Sequence, residues 1–206
     1  MPWQPRMTTG AGREAYERAR KAVDAGHFDA ALAATEEAFR LEPEDVPIRE
    51  LHVGLNLARG VKLAAAARDL RRQEVVARDI GVGVEFEDSD RVKAAFGEAL
   101  DAFEAVLAAD PGNEKAMMMK ASTLHRFDRA TRREEALGLL RLIQEAHPEN
   151  RQLRLVIKKV EKKCDECSDS GFCPHCGGRG TRTLLGFKRK CDKCWGQGIC
   201  LRCGVL

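Results

Sequence analysis

The stretch from Cys164 to Cys203 reads CDECSDSGFCPHCGGRGTRTLLGFKRKCDKCWGQGICLRC, and its cysteines decide how this end of the chain folds. They form four Cys-x-x-Cys pairs, Cys164/Cys167, Cys173/Cys176, Cys191/Cys194 and Cys200/Cys203, which account for all 8 cysteines of the 206-residue chain. Two thiolates three residues apart can grip one zinc ion when the turn between them offers its backbone amides to the sulfurs. Two such knuckles complete a tetrahedral site with Zn–S distances of about 2.3 Å, so eight thiolates make two closed sites. Clustered pairs in a chain without a secretory leader read as metal ligands rather than disulfides. The stretch is also poor in apolar groups, and domains below about 40 residues usually need a metal or a disulfide to fold. Structural zinc, contributing on the order of 10 kcal/mol or more per site, supplies what burial does not.

The pairs begin at positions 164, 173, 191 and 200, a symmetric spacing. A hairpin folded about Thr181–Phe187 brings Cys173, Cys176, Cys191 and Cys194 together near its tip. The same fold brings Cys164, Cys167, Cys200 and Cys203 together near its base. On spacing alone, sequential pairing of neighbouring knuckles stays open as the alternative, although only five residues separate them. His175 lies inside a knuckle, but four cysteines already fill the inner site.

The glycines add an identification. Cys173-Pro-His-Cys176-Gly-Gly178-Arg-Gly180 and Cys191-Asp-Lys-Cys194-Trp-Gly196-Gln-Gly198 both carry Cys-x-x-Cys-x-Gly-x-Gly. This resembles the cysteine-rich zinc domain of DnaJ-type chaperones, where the glycines allow positive φ and close strand approach. The outer pairs depart from the motif, with Ser-Asp-Ser-Gly171 after Cys167 and Gly204 after Cys203, and the short spacings are similar to those of stand-alone versions in assembly factors. The resemblance implies two zinc ions per chain, one held by the inner pairs and one by the outer pairs.

Upstream, residues 11–163 are rich in Ala, Leu, Glu and Arg, and their apolar positions recur every three or four residues, which predicts helices throughout. The set Ala15, Ala19, Ala22, Val23, Phe28, Ala31, Ala34, Thr35, Ala38 and Leu41 breaks at Gly26, which suits a turn between two antiparallel helices. Pro43 and Pro111 are 68 residues apart and Pro148 follows 37 later, each after a helical stretch. Counting back from these prolines places Ala31, Ala99 and Ala136 at a small helix-crossing position, and Thr35, Phe103 and Leu140 at a larger contact. Over about 150 residues the pattern resembles the tetratricopeptide-repeat family, with Gly26-His27-Phe28 fitting its turn and following aromatic. It departs where Ala15 and Met117 replace a large aromatic, and where residues 81–90 read as a loop in place of a first helix. Leu51–Ile80 reads as helix, and Ser89 or Asp90 as the N-cap of the next one. A closing helix over 149–163 turns Leu153, Val156, Ile157 and Val160 inward.

The expected fold is therefore mainly α: residues 1–10 disordered, 11–163 antiparallel helical repeats of the tetratricopeptide type, and 164–206 a small two-zinc β-hairpin module. The tetratricopeptide resemblance implies a peptide-binding groove rather than chemistry. Family members that grip acidic chaperone tails use a Lys and Asn clamp, but here the comparable slots hold Tyr16 and Arg20. His147-Pro148-Glu149 differs from the His-Pro-Asp of J domains and sits in a helix-ending turn, so no J domain is read.

Formal charge is +3, and the region 164–206, with seven Lys/Arg and four acids, carries all of it. No apolar run approaches the roughly 18 residues of a membrane span, and a cytoplasmic location without membrane contact is expected. No phosphate loop, Ser/His/Asp set or catalytic carboxylate pair is recognisable, so no enzyme activity is expected. The expected function is a protein-interaction scaffold of co-chaperone or assembly-factor type. Its contact candidates are Phe187, Lys188, Arg189, Lys190 and Trp195 on the zinc module, with Arg20, Arg59 and Lys120 in the helical groove. A nucleic-acid module using Lys188-Arg189-Lys190 is the first alternative. Redox sensing by the zinc-bound thiols is the second.

Overall fold

In the computed structural model, residues 10–78 and 86–203 are described. The helices are α1 (Gly10–Asp24), α2 (Phe28–Leu41), α3 (Val46–Ala77), α4 (Asp90–Ala109), α5 (Glu114–Phe127), α6 (Arg129–Ala146) and α7 (Arg151–Glu161); a two-stranded sheet, β1 (Thr181–Leu184) with β2 (Phe187–Lys190), follows. Gly26 takes φ +72 between α1 and α2, and the His27 and Gly26 amides donate back to the Ala22 and Val23 carbonyls, closing the helix in a Schellman turn.

The three prolines mark one recurring turn. Helices α2, α4 and α6 each stop two residues before Pro43, Pro111 and Pro148. In each case the next amide, of Glu42, Asp110 and His147, donates to the carbonyl four residues back (Ala38, Val106, Ile143). Three residues further on, Asp45, Asn113 and Asn150 donate to those same turn residues, and α3, α5 and α7 begin immediately after. The Asp45 and Asn150 side chains then cap their helices by accepting the Ile48 and Leu153 amides at 3.1 and 3.0 Å. Proline suits these turns because it cannot continue the preceding helix.

Contacts divide the chain into two units: residues up to Gly60 with Ala102–Asn113, and Val61–Asp101 with Glu114–Leu206. In the first, Ala15, Ala38 and Ile48 form one buried cluster with Tyr16 and Phe39, and Ala31, Leu32 and Leu55 another with Phe28 and Leu51. Phe39 stacks on His52 with ring centroids 4.5 Å apart. Val23 and Leu41, two of the apolar positions in the set that breaks at Gly26, are exposed at 42% and 37%. Val23 stands about 100° round the helix from Ala22, and Leu41 is the last residue of α2.

In the second unit Ala67, Val92 and Phe96 pack with Leu70, Ala95 and Phe127. Further along, α5 packs on α6 and α6 on α7. The small positions Ala31, Ala99 and Ala136 and the larger ones Thr35, Phe103 and Leu140 are all fully buried. Of the closing-helix set, Leu153, Ile157 and Val160 are buried and Val156 partly so. Ser89 caps α4 by accepting the Val92 amide at 3.2 Å. The loop reading of 81–90 and the disorder reading of 1–10 fall largely on residues outside those described, but 86–89 are non-helical, and Gly10 already belongs to α1. No described helix is long and apolar enough to cross a membrane.

Gly60 of α3 lies where a Cβ would stand 2.6 Å from the Phe103 ring, whereas Gly54 has open space around it. Gly54→Ala is therefore expected to stabilise the protein by about 0.5–1 kcal/mol through helix propensity alone. Gly60→Ala is expected to destabilise it by about 1–3 kcal/mol, because the aromatic cannot yield without repacking. Midpoints of urea unfolding followed by circular dichroism check both.

Candidate metal centre

The hairpin is built by its turn and its glycines. Thr181 pairs with Lys190, Arg182 with Arg189, Thr183 with Lys188 and Leu184 with Phe187. The two-residue connection Leu185-Gly186 has φ +51 and +83, the left-handed pair that fits the twist of flanking strands. After each knuckle the chain again needs positive φ, at Gly177, Gly178 and Gly180 on one side and at Trp195, Gly196 and Gly198 on the other. The two sides meet closely enough that a Cβ on Gly198 would enter the Gly178 carbonyl, and one on Gly180 the Gly196 carbonyl. Here glycine is required by space as well as by conformation.

This backbone gathers the cysteines into two buried groups of four, Cys164/Cys167/Cys200/Cys203 and Cys173/Cys176/Cys191/Cys194, with the sulfurs of each group within 4.8 Å of one another. Individual separations are 3.9 Å for Cys164–Cys200, 3.4 Å for Cys167–Cys203 and 3.7 Å for Cys176–Cys194. A tetrahedral ion with metal–sulfur bonds of about 2.3 Å has sulfur–sulfur edges of about 3.8 Å, so both groups fit a metal. No cysteine is in a disulfide. The nested grouping is the one the hairpin spacing favours, and the sequential alternative is excluded.

The thiol electrostatics point the same way. Burial pushes the Cys176 thiol up, and the adjacent Cys194 and Cys173 sulfurs push it further. Burial raises Cys200 to about 11. In the outer group a hydrogen bond from Cys203 brings Cys167 down to about 4, while that bond and burial raise Cys203. Left to themselves, such groups cannot all ionise; a divalent cation at their centre lets four thiolates coexist. The Gly180 and Gly198 amides already point at the Cys176 and Cys194 sulfurs at 3.3 Å.

The outer group also meets α5 and α6, through residues the cysteine spacing does not reveal. Arg129 Nη1 lies 2.6 Å from Cys203 Sγ, and its Nε donates to the His125 carbonyl at 2.8 Å. The His125 Nε2 lies 3.2 Å from the Cys203 carbonyl. Burial, then the Arg129 charge, lowers His125 to about 4, so the neutral ring donates this bond from Nε2. Arg133 pairs with Asp169, whose other oxygen accepts the Cys164 amide at 3.3 Å. Arg71 of α3 chelates Asp88 and lies 5.2 Å from the Phe172 ring centroid. No spacing in the sequence marks these side chains, since His125 lies on α5 and Arg129 and Arg133 on α6, and Asp128 between them, at φ −144, interrupts the helical periodicity that would group them.

The other site candidates fall in several places. Lys188, Arg189 and Lys190 are exposed on β2 beside Phe187, which is 71% exposed, and Trp195 is 75% exposed. His175 is an exposed bystander outside both four-cysteine groups. Arg20 is exposed on α1, and Arg59 lies 3.8 Å from Glu36, both in the first unit. Lys120 is buried in the second unit, 3.0 Å from Glu135.

Gly198→Ala is expected to abolish metal uptake at the inner group, because the new methyl occupies the space of the Gly178 carbonyl. Gly186→Ala, at a tip with open space, is expected to cost only about 1–2 kcal/mol of backbone strain and keep both metals. Elemental analysis of the two purified variants distinguishes the outcomes. Comparison of the chain with protein-family models, with curated proteins and with solved structures returns no match.

Proposed function

We propose that this chain is a non-catalytic interaction scaffold, in which two structural zinc ions hold a rigid hairpin that docks onto a protein partner. The observation that carries the reading is the composition of one hairpin face. Strand register puts Arg182, Leu184, Phe187 and Arg189 on the same side. Leu184 and Phe187 form an exposed apolar pair, at 57% and 71%. Arg182 and Arg189 stand directly opposite each other, an arrangement unfavourable in an isolated hairpin. At the tip, Leu185 is 91% exposed in a left-handed conformation that Asn or Gly would adopt more readily. Local stability is thus given up at several adjacent positions, as expected of a contact surface. Two leucines at the tip favour a protein over a nucleic acid, since aliphatic side chains offer bases no ring to stack on.

Zinc is the metal that four cysteines per site with closed tetrahedral geometry suit best. The Cys-x-x-Cys-x-Gly-x-Gly resemblance to DnaJ-type zinc domains supports a co-chaperone or assembly-factor role. The recurring proline turns support helical repeats of tetratricopeptide character, whose grooves bind peptides. Cytoplasmic residence accords with free thiols.

The combined variant Leu185→Asn, Phe187→Thr and Arg189→Glu leaves every cysteine and knuckle glycine in place, so it is expected to retain two zinc ions and its helical circular dichroism. Affinity capture from the native lysate, with nuclease treatment, is expected to recover a stoichiometric protein with the wild type and to lose it with this variant. Recovery that disappears with nuclease and falls steeply with salt would instead assign the basic hairpin to nucleic acid.

A further inference from the structure

The two four-cysteine groups are chemically alike but differently supported. A divalent ion on four thiolates keeps two surplus negative charges, and such charge is costly in a protein interior unless it is paired. At the inner group the sulfurs of Cys176 and Cys194 receive neutral backbone N–H dipoles from Gly180 and Gly198. At the outer group Cys203 meets a full cation. Arg129 is 6% exposed, and its guanidinium is fixed at one end by the His125 carbonyl and at the other by the sulfur. Gly171, between the outer and inner knuckles, leaves the space it needs, since a Cβ there would stand 3.2 Å from Nη2. The outer group is held from the helices at both ends of the module: Cys203 through Arg129 and His125, and Cys164 through Asp169 and Arg133.

We propose that Arg129 is a positioning residue of the outer metal site, offsetting its thiolate charge and making its occupancy and the packing of α5 and α6 one cooperative unit, so that the inner site releases its metal first. The inference rests on both groups being zinc sites. Charge-assisted contacts of this kind are strong, and each partner is stranded without the other. Loss of the outer metal leaves a buried guanidinium without the surplus negative charge it offsets. Loss of Arg129 leaves an uncompensated dianionic site.

The test begins with the full chain purified in zinc and counted for metal. Fewer than two ions per chain sinks the zinc reading and this inference with it, whereas two ions released in the wrong order sink the inference alone. A mercurial thiol reagent is added in steps with a zinc-reporting dye present, and mass spectrometry of quenched samples identifies the cysteines modified at each step. The expected order is Cys173, Cys176, Cys191 and Cys194 first, with Cys164, Cys167, Cys200 and Cys203 slower by about tenfold or more. Amide hydrogen exchange over residues 114–146 is expected to rise only with the second phase. Arg129→Met is expected to speed the second phase about tenfold, and Arg129→Lys to restore part of the difference. Simultaneous release, release of the outer metal first, or an Arg129→Met variant with an unchanged second phase overturns the proposal. Should Arg129→Met not fold, the wild-type order and the exchange pattern decide alone.

Discussion

Four thiol groups crowded around one point are the constraint on which the C-terminal end of this chain depends. Buried sulfurs within 4.8 Å of one another can ionise together only around a cation. The surrounding backbone has little else to hold it, because the strands it carries are exposed on both faces. The module therefore has almost no apolar interior of its own. Its order comes from two clusters of sulfur, from glycines that let the two knuckle arms touch, and from whatever the helices supply at its base.

The helices follow a different logic. Alanine at crossing positions lets backbones approach, and the buried volume comes from a few larger groups such as Ile48, Phe96, Phe103 and Leu140. Each proline turn reuses the same two backbone hydrogen bonds, so helix ends are satisfied locally. Buried Asn56 and Thr35 are satisfied within their own helices, Asn56 donating to the His52 carbonyl at 3.0 Å and Thr35 to the Leu32 carbonyl at 2.9 Å.

Much of this was legible in the sequence, because the signals are short-range. Cys-x-x-Cys pairs, glycines two apart and prolines after helical runs act within a few residues, and their symmetric spacing favoured the nested cysteine grouping. The exposure of apolar positions near helix ends, such as Val23 and Leu41, was not legible, since periodicity does not say where a neighbouring helix stops. The support of the outer site was not legible at all. Arg129 and Cys203 lie 74 residues apart, and an arginine on a helix ordinarily reads as solvated surface. Only the fold turns it toward a sulfur. The partner is a matter of surface chemistry, which periodicity does not encode.

The separation between Arg129 and Cys203 also bears on how the chain is made. Helices α5 and α6 leave the ribosome well before the last knuckle exists, so the face that will receive the outer site must wait in water. His125, Arg129 and Arg133 tolerate that interval, as a row of leucines would not: an unsatisfied hydrophobic face invites aggregation, whereas a guanidinium is well hydrated until its sulfur arrives. The polar character of this junction thus suits an element that is synthesised early and completed late.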